Sequence, residues 1–125
     1  MKELPKISNA ELEVMKVLWE KSPMTSSEVI DKLSKTHEWK SQTIKTLIER
    51  LVKKGALDYD KDGRAYLYKP LVNRNEYASF ESHNFLGKIF DGNLTSMFAN
   101  FVDNQKLSKK EYEELKAILH NSEVE

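Results

Sequence analysis

Cysteine is absent from this chain, and that one absence removes disulfides, thiolate metal sites, cysteine nucleophiles and thiol redox sensing together. No apolar run approaches the ~20 residues that a membrane-spanning helix requires, and the opening MKELPKIS lacks the apolar stretch of a signal peptide. Both absences lead to the expectation of a soluble, cytoplasmic protein. Catalytic groupings are missing as well. The 3 histidines, His37, His83 and His120, are scattered without metal-ligand spacing. There is no phosphate-binding glycine loop, no Ser/His/Asp arrangement and no pair of carboxylates in an apolar setting. The composition therefore reads as a binding protein without cofactor or metal, not an enzyme. Finally, there is no net charge, with 20 Lys and Arg against 20 Asp and Glu.

What is present is unevenly placed. Residues 1–72 carry 14 Lys and Arg against 11 Asp and Glu, whereas residues 73–125 carry 6 against 9. Between Lys40 and Lys54 there are 5 basic residues and 1 acidic one. A basic head and an acidic body result from this asymmetry.

The stretch KSQTIKTLIERLVKKGALDYDKDGRAYLYKP, Lys40 to Pro70, explains where the positive charge goes. Ile44, Leu47, Ile48, Leu51 and Val52 recur at helical period and form one apolar stripe, leaving Ser41, Gln42, Thr43, Lys45, Thr46, Glu49, Arg50 and Lys53 on the opposite face. Gly55 suits a left-handed helix end, with Lys53 and Lys54 at the negative end of the dipole. Leu57 to Asp60 and Arg64 to Lys69 read as two strands joined by a Lys61-Asp62-Gly63 turn. A helix bearing amide, hydroxyl and cationic groups beside a basic-tipped hairpin has the outline of a winged helix-turn-helix, shaped for a DNA groove.

Upstream, Ser8 with Glu11 and Thr25 with Glu28 are capping boxes that open two more helices. Leu12, Met15, Leu18 and Trp19 face inward from the first, and Val29, Ile30 and Leu33 from the second, with Trp19 and Trp39 as core anchors. Residues 1–72 thus make a complete small domain.

After Pro70 the helical pattern restarts. Three helices are expected in residues 73–125. The first carries Tyr77, Phe80, Phe85, Leu86, Ile89 and Phe90. The second carries Leu94, Met97, Phe98, Phe101 and Val102, and the third, after a Ser108–Glu111 capping box, Tyr112, Leu115, Ile118 and Leu119. About 50 residues bury too little alone to be very stable, so these apolar faces need a partner surface. Two arrangements supply one: a two-fold homodimer, which sets two reading heads against a palindromic site, or packing back on the winged domain in a monomer. The dimer is the expectation, with Phe80, Phe85, Leu86, Ile89, Phe90, Leu94, Met97, Phe98, Phe101, Leu115 and Ile118 as its contact residues. The fold class is accordingly mainly α with a small β-wing, an N-terminal winged helix-turn-helix followed by a three-helix dimerisation domain.

In combination, ISNAELEVMKVLW, TIKTLIERLVKKGAL, GRAYLYKP and SMFANF give a chain that resembles the BlaI/MecI family of bacterial repressors over nearly its whole length. The resemblance implies a homodimer repressing β-lactamase or penicillin-binding-protein genes. It also implies a membrane sensor that answers β-lactam by triggering cleavage at an Asn-Phe bond in the dimerisation domain, here Asn100 to Phe101. Asn84-Phe85 is the same dipeptide, but only the second lies in a matching SMxxNF context. Independently of cleavage, Phe101 reads as a core or interface residue and Asn100 as a surface residue of its helix. A copper-sensing branch of the family uses C-terminal cysteine pairs, which this chain lacks.

Gln42, Thr43, Lys45 and Thr46 occupy the first turns of the third helix, where helix-turn-helix proteins reach base edges. Gln pairs with adenine, Thr touches the thymine methyl and Lys donates to guanine. Lys40, Ser41, Arg50, Lys53, Lys61 and Arg64 suit phosphates. The competing reading is a solvated helix face, with Arg50 held in a surface ion pair. Two alternatives to this function remain: a repressor of the same family with a different target and signal, and a winged-helix domain that docks to protein, though such a docking face requires no basic excess.

Overall fold

A computed structural model describes residues 3–104 and 106–123. The elements run α1 (Asn9–Glu20), α2 (Ser26–Ser34), α3 (Ser41–Lys53), β1 (Leu57–Asp62), β2 (Ala65–Pro70), α4 (Arg74–Phe90), α5 (Leu94–Asn104) and α6 (Lys109–Asn121). They form two compact units, one reaching to Ser79 and the other beginning at Phe80. The expected class, mainly helical with a small two-stranded wing, is the one observed.

Each helix starts where the sequence offers its backbone a cap, α3 excepted. Ser8 and Glu11, Thr25 and Glu28, and Ser108 and Glu111 each exchange both bonds of a capping box, satisfying donors that would otherwise be orphaned. Asn73 accepts from the N–H groups of Asn75 and Glu76 at the start of α4, and Asn93 from that of Ser96 at the start of α5.

In the first unit, α1, α2 and α3 close around Val14, Met15, Leu18, Val29, Leu33, Ile44, Leu47, Ile48 and Leu51, with Ile7, Met24, Ala56, Leu57, Val72 and Tyr77 completing the core. The stripe read along α3 is this buried face, with Val52 at its half-buried edge. Two anchors differ from expectation. Trp19 and Trp39 are only half-buried, packed on the rim of the core. Trp19 keeps its indole N–H at the edge because it donates to the carbonyl of Val72 at 2.8 Å, and its ring meets that of Tyr77 at 5.9 Å. Trp39 stacks on His37 at 4.3 Å.

The hairpin is longer than its sequence pattern suggests. Pairing continues through Lys61–Tyr66 and Asp62–Ala65, so the turn is Gly63-Arg64 and Lys61-Asp62 belong to β1. Gly63 has φ 64°, which a tight two-residue hairpin demands at its first position. The base of the wing is pinned by an isolated bridge between Met24 and Tyr68, whose N–H and C=O groups exchange bonds of 2.7 and 3.1 Å.

In the second unit, Phe85 of α4 meets Phe101 of α5 with ring centroids 6.5 Å apart. No described residue of α5 or α6 is buried. Among the described residues, no helix is long and apolar enough to cross a membrane.

Candidate nucleic-acid interface

Helix α3 presents its polar face outward because the opposite face is committed to the core. Gln42, Thr43, Lys45, Glu49, Arg50 and Lys53 are exposed, while Thr46 is half-buried. Gln42, Thr46, Glu49 and Lys53, at spacings of four, three and four, run along one line down the middle of that face. Thr43 and Arg50 flank the line on one side and Lys45 on the other.

Thr46 is the one candidate whose chemistry the structure narrows. Its hydroxyl donates to the carbonyl of Gln42 at 2.9 Å, so it offers a partner its methyl and lone pairs but not its proton. Lys40 is the N-cap residue of α3, in extended conformation and without a side-chain cap bond. The first-turn N–H groups next to Ser41 therefore lack the capping acceptor that α1, α2 and α6 possess, which suits an anion.

Among the described residues, Lys40, Lys45, Arg50, Lys53, Lys61 and Arg64 take part in no ion pair. Arg50 is thus not held by a surface carboxylate. Lys54 is different. Its Nζ lies 2.5 Å from Oε1 of Glu11 and donates to the carbonyl of Lys6 at 2.8 Å. Of the basic residues between Lys40 and Lys54, this one belongs to the scaffold.

Glu11 is 2% exposed. Burial pushes its carboxyl up, but the bonds from Lys54 and from the N–H and hydroxyl of Ser8 outweigh burial and hold it below the usual glutamate value. The partnership fixes the C-terminal end of α3 to the first turn of α1 and so sets how α3 projects its polar face.

The wing has two chemically distinct faces. Residues directly opposite in an antiparallel pair share a face, so Leu57, Tyr59 and Lys61 lie with Pro70, Tyr68 and Tyr66, while Asp58, Asp60 and Asp62 lie with Lys69, Leu67 and Ala65. The first face starts in the core at Leu57 and Tyr68 and ends in solvent at Tyr59 and Tyr66. Tyr68 is raised above the ordinary phenol value by burial, and then by the neighbouring Tyr59, Glu49 and Tyr66. Leu57 and Tyr68, packed on the core that the buried stripe of α3 lines, turn this face of the wing toward α3. Sequence alternation offered no hint of Tyr59, because periodicity cannot say which side of a hairpin meets the helix.

The residues expected at a subunit contact fall into two classes. Phe80, Phe85, Ile89, Leu94, Phe98, Phe101 and Ile118 are exposed, and Leu86, Phe90, Met97 and Leu115 are half-buried. Asn100 and Phe101 both lie inside α5, and the carbonyl of Asn100 accepts a bond from the side-chain amide of Asn104 at 2.8 Å. Asn84 and Phe85 lie inside α4.

Comparison with known proteins fits this geometry. The penicillinase repressor family pattern matches residues 7–121. The chain is similar to the penicillinase repressor of Bacillus licheniformis, 48% identical over 119 residues that cover 95% of this chain and 93% of that protein. It is also similar to the methicillin resistance regulatory protein MecI of Mammaliicoccus sciuri, 39% identical over 114 residues covering 91% of this chain and 93% of that one. Among solved structures, the monomeric form of Bacillus licheniformis BlaI in complex with the blaP half-operator aligns with a TM-score of 0.55. The two are 51% identical, and the alignment covers 62% of this chain and 94% of that one. Match length, identity and shared winged fold agree: this chain belongs to the penicillinase repressor family.

Proposed function

We propose that this protein is a homodimeric, sequence-specific, DNA-binding transcriptional repressor acting in the cytoplasm on a palindromic operator. The observation that carries the reading is the outward face of α3, where exposed cations that have no carboxylate partner among the described residues lie among amide and hydroxyl groups. In this reading residues 1–72 bind DNA. Gln42, Thr43, Lys45 and Thr46 contact base edges, while Lys40, Ser41, Arg50, Lys53, Lys61 and Arg64 contact phosphates.

Residues 73–125 form the dimerisation domain, through the exposed apolar side chains of α4, α5 and α6. A single chain leaves large apolar groups such as Phe80, Phe98 and Ile118 in solvent, and a second copy covers the same patch on both sides of a two-fold axis. The regulated genes are of the β-lactamase or penicillin-binding-protein type, by kinship with a penicillinase repressor and a methicillin resistance regulator. Relief of repression comes from a membrane sensor system that leads to cleavage between Asn100 and Phe101. Losing the segment beyond that bond separates the two heads and with them the linked half-site contacts.

The test is binding of the purified protein to the DNA upstream of its own gene, by mobility shift against scrambled competitor at low and physiological salt. A competitor-resistant shift with a symmetric footprint is expected. Weak binding without preference, lost at physiological salt, overturns the reading in favour of a protein-docking module.

A further inference from the structure

In the DNA-binding reading the groups that face the duplex are cations and the polar side chains of α3. The wing adds a third kind. Tyr59 stands between Tyr66 at 4.9 Å, edge to face, and Tyr68 at 5.8 Å. Of the three, Tyr68 alone is packed against the core. Tyr59 is 44% exposed and Tyr66 43%, and among the described residues neither hydroxyl has a hydrogen-bond partner. The T-shaped pair fixes both rings, so the two phenols are held in place before any partner arrives. Lys61, paired directly with Tyr66, and Arg64 in the turn bring cations to the same end of the wing.

Charge decides which face of the wing a polyanion meets. Asp58, Asp60 and Asp62 all lie on the opposite face, where Asp60 is partly offset by Lys69 at 3.3 Å. The tyrosine face carries no carboxylate of the wing. At its base Leu57 and Tyr68 pack on the core that the buried stripe of α3 also lines, so it is this face, not the aspartate face, that the wing turns toward α3.

We propose that Tyr59 and Tyr66 are backbone-contacting residues for duplex DNA, their hydroxyls donating to phosphate oxygens while the aspartate face points away. This rests on the DNA-binding reading above and extends it to groups that carry no charge. Neutral donors add affinity without displacing counterions. Their signature therefore differs from that of lysine, whose removal lowers the dependence of log K on log salt by about 0.9 per phosphate.

The experiment compares wild type, the Tyr59→Phe/Tyr66→Phe double variant, Lys61→Ala and Asp58→Asn. Each is titrated against a random-sequence duplex and against the duplex upstream of the protein's own gene, over a range of salt. Both rings survive in the double variant, so the wing keeps its packing, and an unchanged melting temperature verifies this. The expected result is a loss of about a hundredfold on both duplexes alike, about tenfold for each of the two hydrogen bonds to a charged group, with an unaltered salt slope. Lys61→Ala is expected to flatten the slope, and Asp58→Asn to change little.

If wild type binds and the double variant binds as tightly, the tyrosine assignment is overturned while the DNA-binding reading stands. A loss confined to the gene's own duplex overturns it too, because phosphate contacts do not discriminate sequence. Tighter binding by Asp58→Asn with no effect of the tyrosines means that the opposite face meets DNA. Wild type binding neither duplex removes both the inference and the reading beneath it.

Discussion

Lys54, which caps the C-terminal end of α3, places its ammonium 2.5 Å from the buried carboxylate of Glu11, 43 positions earlier in the first turn of α1. Glu11 also closes the capping box with Ser8. One carboxylate thus ends one helix and starts another, and the orientation of the candidate reading helix depends on it. Lys54→Met leaves that carboxylate in the core with half its partners. Breaking a fully buried pair costs about 3–5 kcal/mol. Lys54 is 37% exposed, so solvent screens part of the interaction, and the expected loss is about 2 kcal/mol. Denaturant unfolding followed by tryptophan fluorescence measures it; a loss within error of zero means the pair does not brace α3.

The same carboxylate gives the fold an acid limit. Its folded value lies below the ordinary 4.5, so folding favours the charged form. That contribution is complete above the unfolded value and is lost as pH falls through the folded one. Melting temperatures taken downward from neutrality should therefore hold until about pH 5 and then fall. Glu11→Gln should start lower and show a shallower acid decline. Parallel curves for the two proteins would assign the acid loss to other groups.

Much of the head was legible because its signals are local. Capping boxes sit three residues apart, and the α3 stripe repeats within thirteen residues, so spacing alone located both. The tie between Glu11 and Lys54 escaped because helix spacing marks Glu11 only as a surface capping residue. Nothing local brings a lysine from another helix to bury it. The hairpin turn shifted for a related reason: Lys61 and Asp62 have turn composition, yet cross-strand pairing carries them into β1. Tyr77 counted by periodicity as one more apolar residue of α4, and only the position of Trp19 in space explains its burial. Among the candidate reading residues, the exposure of Gln42, Thr43 and Lys45 followed from the stripe. The return bond of Thr46 to Gln42 needed atomic positions.

Base reading and phosphate contact separate cleanly by measurement. Lys45→Ala and Thr46→Ala should each erase about tenfold of the preference for operator over scrambled duplex, the scale of a single base contact, while sedimentation still shows a dimer. Lys53→Ala should weaken both duplexes alike and flatten the salt slope by about 0.9. Unchanged footprints for both the Lys45 and Thr46 variants would move the reading surface away from the first turns of α3.

The proposed cut between Asn100 and Phe101 falls within a helix, and a protease needs that segment extended, so the rate depends on the cost of opening α5. Two features set that cost here. Phe101 leans on Phe85 across the α4–α5 contact, and the carbonyl of the bond itself accepts the Asn104 amide. Asn104→Ala deletes that hydrogen bond, worth about 1 kcal/mol, and should speed cleavage at this position about fivefold. Phe85→Ala, by removing the stacked ring, should do at least as much. A chain ending at Asn100 shows the consequence, since it lacks the latter part of α5 and all of α6. It should be mostly monomeric at micromolar concentration and bind the operator at least about a hundredfold more weakly, because the second half-site is no longer tethered to the first. A truncated protein that stays dimeric and tightly bound would break the link between cleavage and derepression, whatever the rate of cutting.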